Sequence, residues 1–253
     1  ALNYGTKQEF EEEIKKMKKL TDKPYGVNFS IMPPMMAAKV PHPRDEDFYM
    51  EYVQIALNEG IKVFTTSAYQ APKISKVILD EGAIWFHKCT TLKHALSAEK
   101  LGAHGVTIVG VEGTGFKNPL QNTTLVNMTV ARRFLKIPLI AAGGIGDARG
   151  FLSVLAMGAD AACFGTAILA TFESKAPKSY KRKLIHQDIF DEEFYRKIFH
   201  YQLKDKSIWS YAAGHVDEEV SVRDFIENHI IKQAEGILKS CGFQGDEFRA
   251  ISN

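Results

Sequence analysis

"IPLIAAGGIGDARGFLSVLAMGADAACFGTA", residues Ile137 to Ala167, holds an apolar run closed by a glycine pair, an amphipathic stretch, and a second apolar run that again ends on glycine. The apolarity of each run is continuous rather than alternating, as in a parallel strand covered on both faces. Between the runs, Ala148, Phe151, Leu152 and Leu155 recur at helical spacing behind Asp147, a capping residue, and Gly158 closes the helix. The stretch is therefore strand, helix, strand. Each strand finishes on a residue with almost no side chain, so its backbone N–H groups are open to whatever lies beyond the strand end.

The same unit repeats outward. "YGVNFSI", "IKVFTTS", "AIWFHKCT", "HGVTIVG", "PLIAAGG" and "AACFGTA" are the candidate strands, and "EGIK", "LGAHG" and "MGADA" are glycine-ended turns from helix to strand. This rhythm fits either an open doubly wound sheet or a closed barrel of about 250 residues. The barrel is favoured, because Asn28, Thr66, Lys88, Gly110, Gly143 and Gly165 at successive strand ends would converge on one mouth. The fold class read from the pattern is α/β, a TIM-type (β/α)8 barrel. Since six strands are legible and a barrel of this type closes with about eight, and "ALNYG" leads into a helix over Lys7–Leu20, about two first strands are expected upstream of this sequence. From Pro177 the chain changes to charged helices such as "DEEFYRKIF" and "SVRDFIENHIIKQAEGIL", where Val222, Phe225, Ile226, His229 and Ile230 form a stripe behind the cap Ser221. The organisation read from this is a barrel domain over 1–176 and a helical extension over 177–253 packed on it.

Composition narrows the function classes. With 253 residues, 45% hydrophobic and 25% charged, the chain is ordinary globular protein, and its formal charge of +2 is spread among acids, so no nucleic-acid stripe is present. No apolar run approaches the ~20 residues of a membrane span, and the expected location is cytoplasmic. Cys89, Cys163 and Cys241 are odd in number and widely spaced, which suits neither a disulfide framework nor a zinc site, so no metal is expected.

At a barrel mouth, Gly143 and Gly144 would let the backbone approach phosphate oxygens, and Gly165 with the Thr166 hydroxyl would complete a late-strand phosphate cradle, with Asn28 and Lys88 on the same rim. Residue pattern alone stops at a phosphate-bearing ligand.

"DKPYGVNFS", "HKCTTLKHALSAEKLGAHGV", "IPLIAAGGIGDARG" and "MGADAACFGTAILATFES" resemble, in order and spacing, the nitronate monooxygenase family, also called 2-nitropropane dioxygenase-like, which are FMN-dependent barrels. The likeness runs to about Pro177 and continues weakly through "AAGHVDEEVSVRDFIE". It implies that Asn28 and Lys88 contact FMN, that Gly143 and Gly144 hold its phosphate, and that Gly165 and Thr166 complete the cradle. It implies a small-molecule substrate with O2 or NAD(P)H as co-substrate, no nucleic-acid or membrane partner, and leaves a homo-oligomer open.

One position departs from the resemblance. Where nitronate-oxidising members carry a histidine after the strand "HGVTIVG", this chain has Phe116, which cannot accept a proton. Candidate replacements are Glu112 on the same rim, His42 in the loop "VPHPRDE", and His215 in "AAGHVDE"; His87 points to the side opposite Lys88 and reads as packed, and His104 lies at the far end of a strand. Three functions remain open. One is an FMN-dependent oxidoreductase that oxidises alkyl nitronates with O2. A second is an NAD(P)H-dependent flavin reductase of an unsaturated CoA or carrier-protein thioester, its phosphates met by basic residues such as Arg44, Lys117 and those of "SKAPKSYKRK". The third is a non-catalytic flavin-binding or assembly subunit.

Overall fold

The structure is a computed structural model and describes residues 6–32, 44–114, 120–199 and 210–243. The chain divides into two compact units, Ala1–Ile108 with Arg133–Leu139, and Val109–Arg132 with Ile140–Asn253.

The first unit alternates helices and parallel strands: α1 (Lys7–Leu20), β1 (Gly26–Ile31), α2 (Glu46–Asn58), β2 (Val63–Ala68), α3 (Pro72–Asp80), β3 (Ile84–Cys89), α4 (Leu92–Lys100) and β4 (Gly105–Val109). Each strand pairs in parallel with the next in the chain, β1 with β2, β2 with β3 and β3 with β4. Thr6 and Glu9 close a reciprocal capping box at the start of α1, and Asp45 and Thr91 accept the first free N–H groups of α2 and α4. The helices end on Gly60, Gly82 and Gly102, all at positive φ, where a residue without Cβ turns the chain toward the next strand.

Strand parity decides what is buried. Phe29, Phe64, Thr66, Trp85 and His87 face the helices and are almost fully enclosed. Phe29 meets Phe10 of α1 at 6.2 Å, Tyr49 of α2 at 5.3 Å and Phe64 at 6.4 Å between ring centroids, so one aromatic cluster locks α1 and α2 onto β1 and β2.

The second unit holds α5 (Thr124–Ala131), β5 (Leu139–Ala142), α6 (Ala148–Ala156), β6 (Ala161–Cys163) and a short helix α7 (Thr166–Leu169). β5 and β6 are parallel, and Asp147 caps α6 through the Gly150 N–H at 2.8 Å, as the sequence predicts. The helices α8 (Lys178–Ile185) and α9 (Glu192–Phe199), the 3-10 turn Tyr211–His215 and a helical run from Val222 to Ser240 follow. Leu184, Phe194, Ile198, Ala213, Phe225 and Ile230 form one core with Ala167 and Ala170 of the α7 segment. The stripe read from the sequence is buried at Phe225 and Ile230 and Ser221 is the cap, but Phe225–Lys232 is wound as a π-helix, a widening that hydrophobic spacing does not announce. Lys181 is buried at 4% exposure; its Nζ donates to the Thr171 carbonyl at 2.6 Å and to Glu219 at 2.7 Å, pinning α8 to the chain around it. No helix among the described residues is long and apolar enough to cross a membrane.

Candidate active site

In the first unit the parallel register brings residues from four strands into rows. Ser30 pairs with Ser67, Ser67 with Lys88 and Lys88 with Thr107. Register partners in a sheet project to the same face, so three hydroxyls and one ammonium form a row across the carboxyl ends of β1 to β4. One row nearer the amino ends stand Asn28, Thr65, Phe86 and Gly105. Asn28 thus sits mid-strand on the same face as Lys88, a row below it.

The expectation for Thr66 is overturned. Thr66 is registered with His87, on the opposite face from Lys88. It is fully buried, its hydroxyl accepts the Trp85 indole N–H at 2.9 Å, and it lies 2.9 Å from His87 Nδ1. It belongs to the helix-facing core, and Ser67 takes the rim place. His87 is packed, as parity requires, and burial pushes its imidazole down to about 4 with a smaller contribution from His94. His104 accepts the Trp85 backbone N–H through Nδ1 at 3.1 Å and is structural.

In the second unit, Gly110 donates its N–H to the Ala142 carbonyl at 2.9 Å, and Gly143 and Gly144 follow β5 at φ 102° and 75°. A Cβ on Gly143 would stand 3.0 Å from the Gly110 nitrogen and 3.1 Å from that of Gly113. Both the left-handed turn and the close backbone approach therefore require glycine. Gly165 differs: a Cβ there would meet nothing within 4 Å. Its absence of side chain leaves open space at the end of β6. The Thr166 hydroxyl is buried and accepts both the N–H of Ser210 at 2.9 Å and its O–H at 3.0 Å, so its oxygen is held while its own proton stays available to a further acceptor.

A cavity of about 480 Å³ in this unit is lined by Glu112, Gly143, Gly144, Val154, Tyr211 and His215, among others. Glu112 has partners that its sequence neighbours do not reveal. Its carboxylate accepts the Thr124 N–H at 2.9 Å and lies 3.1 Å from the Thr124 hydroxyl, so it is engaged at the start of α5. His215, 43% exposed in its side chain, has Nδ1 3.8 Å from the Asp147 carboxylate, and Gly146 lets it lie close, since a Cβ there would sit 3.0 Å from its ring. His42, Phe116 and Lys117 lie outside the described residues.

The profile of the nitronate monooxygenase family matches residues 1–202. The chain belongs to the nitronate monooxygenase family. It is similar, at 31% identity over 193 residues, to the (3aS,4S,5R,7aS)-5-hydroxy-7a-methyl-1-oxo-octahydro-1H-indene-4-carboxyl-CoA dehydrogenase of Rhodococcus jostii, a match that covers 76% of this chain and 50% of the relative. The chain thus spans half of that relative's length. Among solved structures it resembles a mutant of FabK from Thermotoga maritima, with TM-score 0.77, 25% identity and coverage of 93% of this chain and 83% of that one. It also resembles the nitroalkane oxidase of Streptomyces ansochromogenes, with TM-score 0.63, 28% identity and coverage of 72% and 61%. The family is one of oxidoreductases, and the α/β fold of the chain is of the TIM-barrel class. The rim groups that sequence reading missed in this nitronate monooxygenase relative are Ser30, Ser67 and Thr107; counting in twos from Lys88 and aligning the strands in parallel would have found them.

Proposed function

We propose that the chain is the flavin-binding part of an FMN-dependent oxidoreductase that exchanges electrons with a CoA thioester. The observation that carries this reading is Lys88 in the row with Ser30, Ser67 and Thr107: a cation among hydroxyls at strand carboxyl ends, whose side chain makes no hydrogen bond or ion pair to any described residue. Such a group stabilises negative charge that develops on an electron-accepting ring or a thioester oxygen.

The donor set fits FMN in kind. Asn28 and Lys88 are ring-side groups of the first unit; in the second unit Gly143 and Gly144 present backbone N–H groups, Thr166 retains a hydroxyl proton, and Gly165 leaves open space. When bound, FMN supplies two-electron transfer. The residues of the chain do the rest: Lys88 holds a positive charge at its Nζ, the glycines accept a phosphate without steric conflict, and the hydroxyl row orients polar atoms. With Phe116 in the place where the resemblance expects a base, removal of a proton beside a nitro group lacks its usual acceptor. The carboxyl-CoA named for the Rhodococcus relative favours a thioester.

A second reading, oxidation of an alkyl nitronate by O2, is favoured by the family profile and by the nitroalkane oxidase likeness; a nitronate is already an anion and needs no base. The test is anaerobic stopped-flow absorbance of the full-length FMN-loaded protein, mixed separately with NADH and with propyl-2-nitronate. Bleaching by NADH supports the thioester reading, bleaching by the nitronate alone supports the second, and no bleaching by either leaves a non-catalytic flavin-binding or assembly role.

A further inference from the structure

Phe190 is 91% exposed, more than any other large apolar side chain among the described residues. It stands in a tight turn between α8 and α9, where the Asp188 carboxylate accepts the Phe190 N–H at 2.8 Å. Its neighbour Ile189 goes the other way and packs on the 3-10 turn: a Cβ on Gly214 would stand 2.9 Å from Ile189 Cδ1. The acids around the ring are engaged within their own chain. Asp191 accepts the Glu193 N–H at 3.0 Å, and Glu192 pairs with Arg196 at 2.6 Å. What the turn presents to a partner is therefore the phenyl ring.

The chain on either side of this ring builds a wall of the 480 Å³ cavity of the second unit. His215, beside Gly214, lines it, and so does the half-exposed Tyr195 of α9. Phe194 of α9 also holds Tyr211 of the lining, at 5.4 Å between ring centroids. Phe190 itself does not line the cavity. The wall is mostly apolar or aromatic, with Leu125, Ile145, Val154, Met157, Tyr195 and Tyr211. It holds no lysine or arginine, and its one carboxylate, Glu112, is taken by the Thr124 N–H. Such a wall suits an uncharged ring.

We infer that two copies of this chain associate about a two-fold axis, with Phe190 of each inserted into the cavity of the other. A two-fold contact requires that where residue i of one copy meets j of the other, j also meets i. A ring and a hole built from adjoining segments of one unit, with the ring outside its own hole, meet that requirement. The exposed parts of Phe190 and Tyr195 come to roughly 300 Å² per copy, over a third of the ~800 Å² that each partner of a stable interface buries. The exposed Val126 and Val130 follow Leu125 on α5 and extend the apolar surface. Each copy thus closes the cavity beside the glycine pair of the other.

Sedimentation velocity of the full-length protein over the micromolar range reads the association. The wild type dimerises in a concentration-dependent equilibrium, and Phe190→Ser and Leu125→Glu each weaken it at least tenfold. Both side chains are exposed, so thermal melts matching the wild type check the folds; Leu125→Ser replaces Leu125→Glu if that variant melts early. Mixing the two variants tests the exchange itself. One intact ring then meets one intact cavity, and the mixture associates more tightly than either variant alone. A wild type that stays monomeric throughout, its cavity covered by another stretch of the chain or by another protein, overturns the inference. Dimerisation unchanged by Phe190→Ser, or a mixture no tighter than its components, overturns it equally.

Discussion

The Thr66 hydroxyl lies 2.9 Å from Nδ1 of His87, and both residues are buried under the helices of the first unit. The same hydroxyl takes the Trp85 indole N–H at 2.9 Å, while His87 Nε2 has no hydrogen-bond partner among the described residues. The arrangement suits a neutral imidazole, and burial holds its titration down at about 4.

A pH dependence follows, with a definite sign. The unfolded chain takes up this proton near pH 6.5 and the folded chain only near 4. The stability tied to neutral His87 is therefore complete above pH 6.5 and is lost as the pH falls toward 4. At about 1.4 kcal/mol per pH unit over this window the loss is about 3 kcal/mol. Urea midpoints at pH 7, 5.5 and 4.5 check it: the wild type loses stability steadily, and His87→Phe flattens that part of the profile.

Tyr49 carries the opposite lesson about buried polar atoms. Its hydroxyl is enclosed without a hydrogen-bond partner among the described residues, while its ring packs on Phe29. Removing an unsatisfied hydroxyl forfeits no bond. Tyr49→Phe is expected to leave the unfolding free energy within about 0.5 kcal/mol of wild type or to raise it, as read by chemical denaturation.

The two glycine sites separate turn chemistry from ligand space. Gly143→Ala places a Cβ against the backbones of Gly110 and Gly113 at a positive φ, and is expected to destabilise by about 2 kcal/mol or more. Gly165→Ala enters open space at an ordinary φ of −118° and keeps the melting temperature. If FMN phosphate uses that space, the same Gly165→Ala protein binds FMN more weakly, which fluorescence titration of the flavin measures.

Lys181 tests how the second unit is held. Its ammonium, paired with Glu219 and the Thr171 carbonyl, is nearly enclosed, while Glu219 is 31% exposed in its side chain. Lys181→Ala deletes the stem and the charge together, and is expected to cost about 3 kcal/mol. Lys181→Met keeps the stem and frees Glu219 to reach water, so its cost is about 1 kcal/mol; paired thermal melts distinguish the two.

Much of this was legible because it is local. All six strands stand where continuous apolar runs predict them, from "YGVNFSI" at Gly26–Ile31 to "AACFGTA" at Ala161–Cys163. The turns "EGIK", "LGAHG" and "MGADA" carry Gly60, Gly102 and Gly158 at positive φ, since a left-handed helix end selects for glycine. What the strand ends alone did not supply was the register between neighbouring strands. Thr66 reads as a rim residue when strand ends are matched by eye, but its pairing with His87 puts it in the core and sends Ser67 to the rim. Nor could spacing reveal that the Glu112 carboxylate is taken by Thr124, twelve residues on, or that Tyr69, Lys93 and His94 line one cavity from separate segments. Each of these is a meeting across the fold between residues that look ordinary one at a time.

The most direct test of the central claim, that Lys88 stabilises negative charge on a bound flavin, is the midpoint potential of FMN in the full-length protein, wild type against Lys88→Met. Removal of the cation is predicted to lower the potential, each 30 mV or so marking a tenfold change in the two-electron equilibrium, with FMN still bound. A potential unchanged in the variant contradicts the claim.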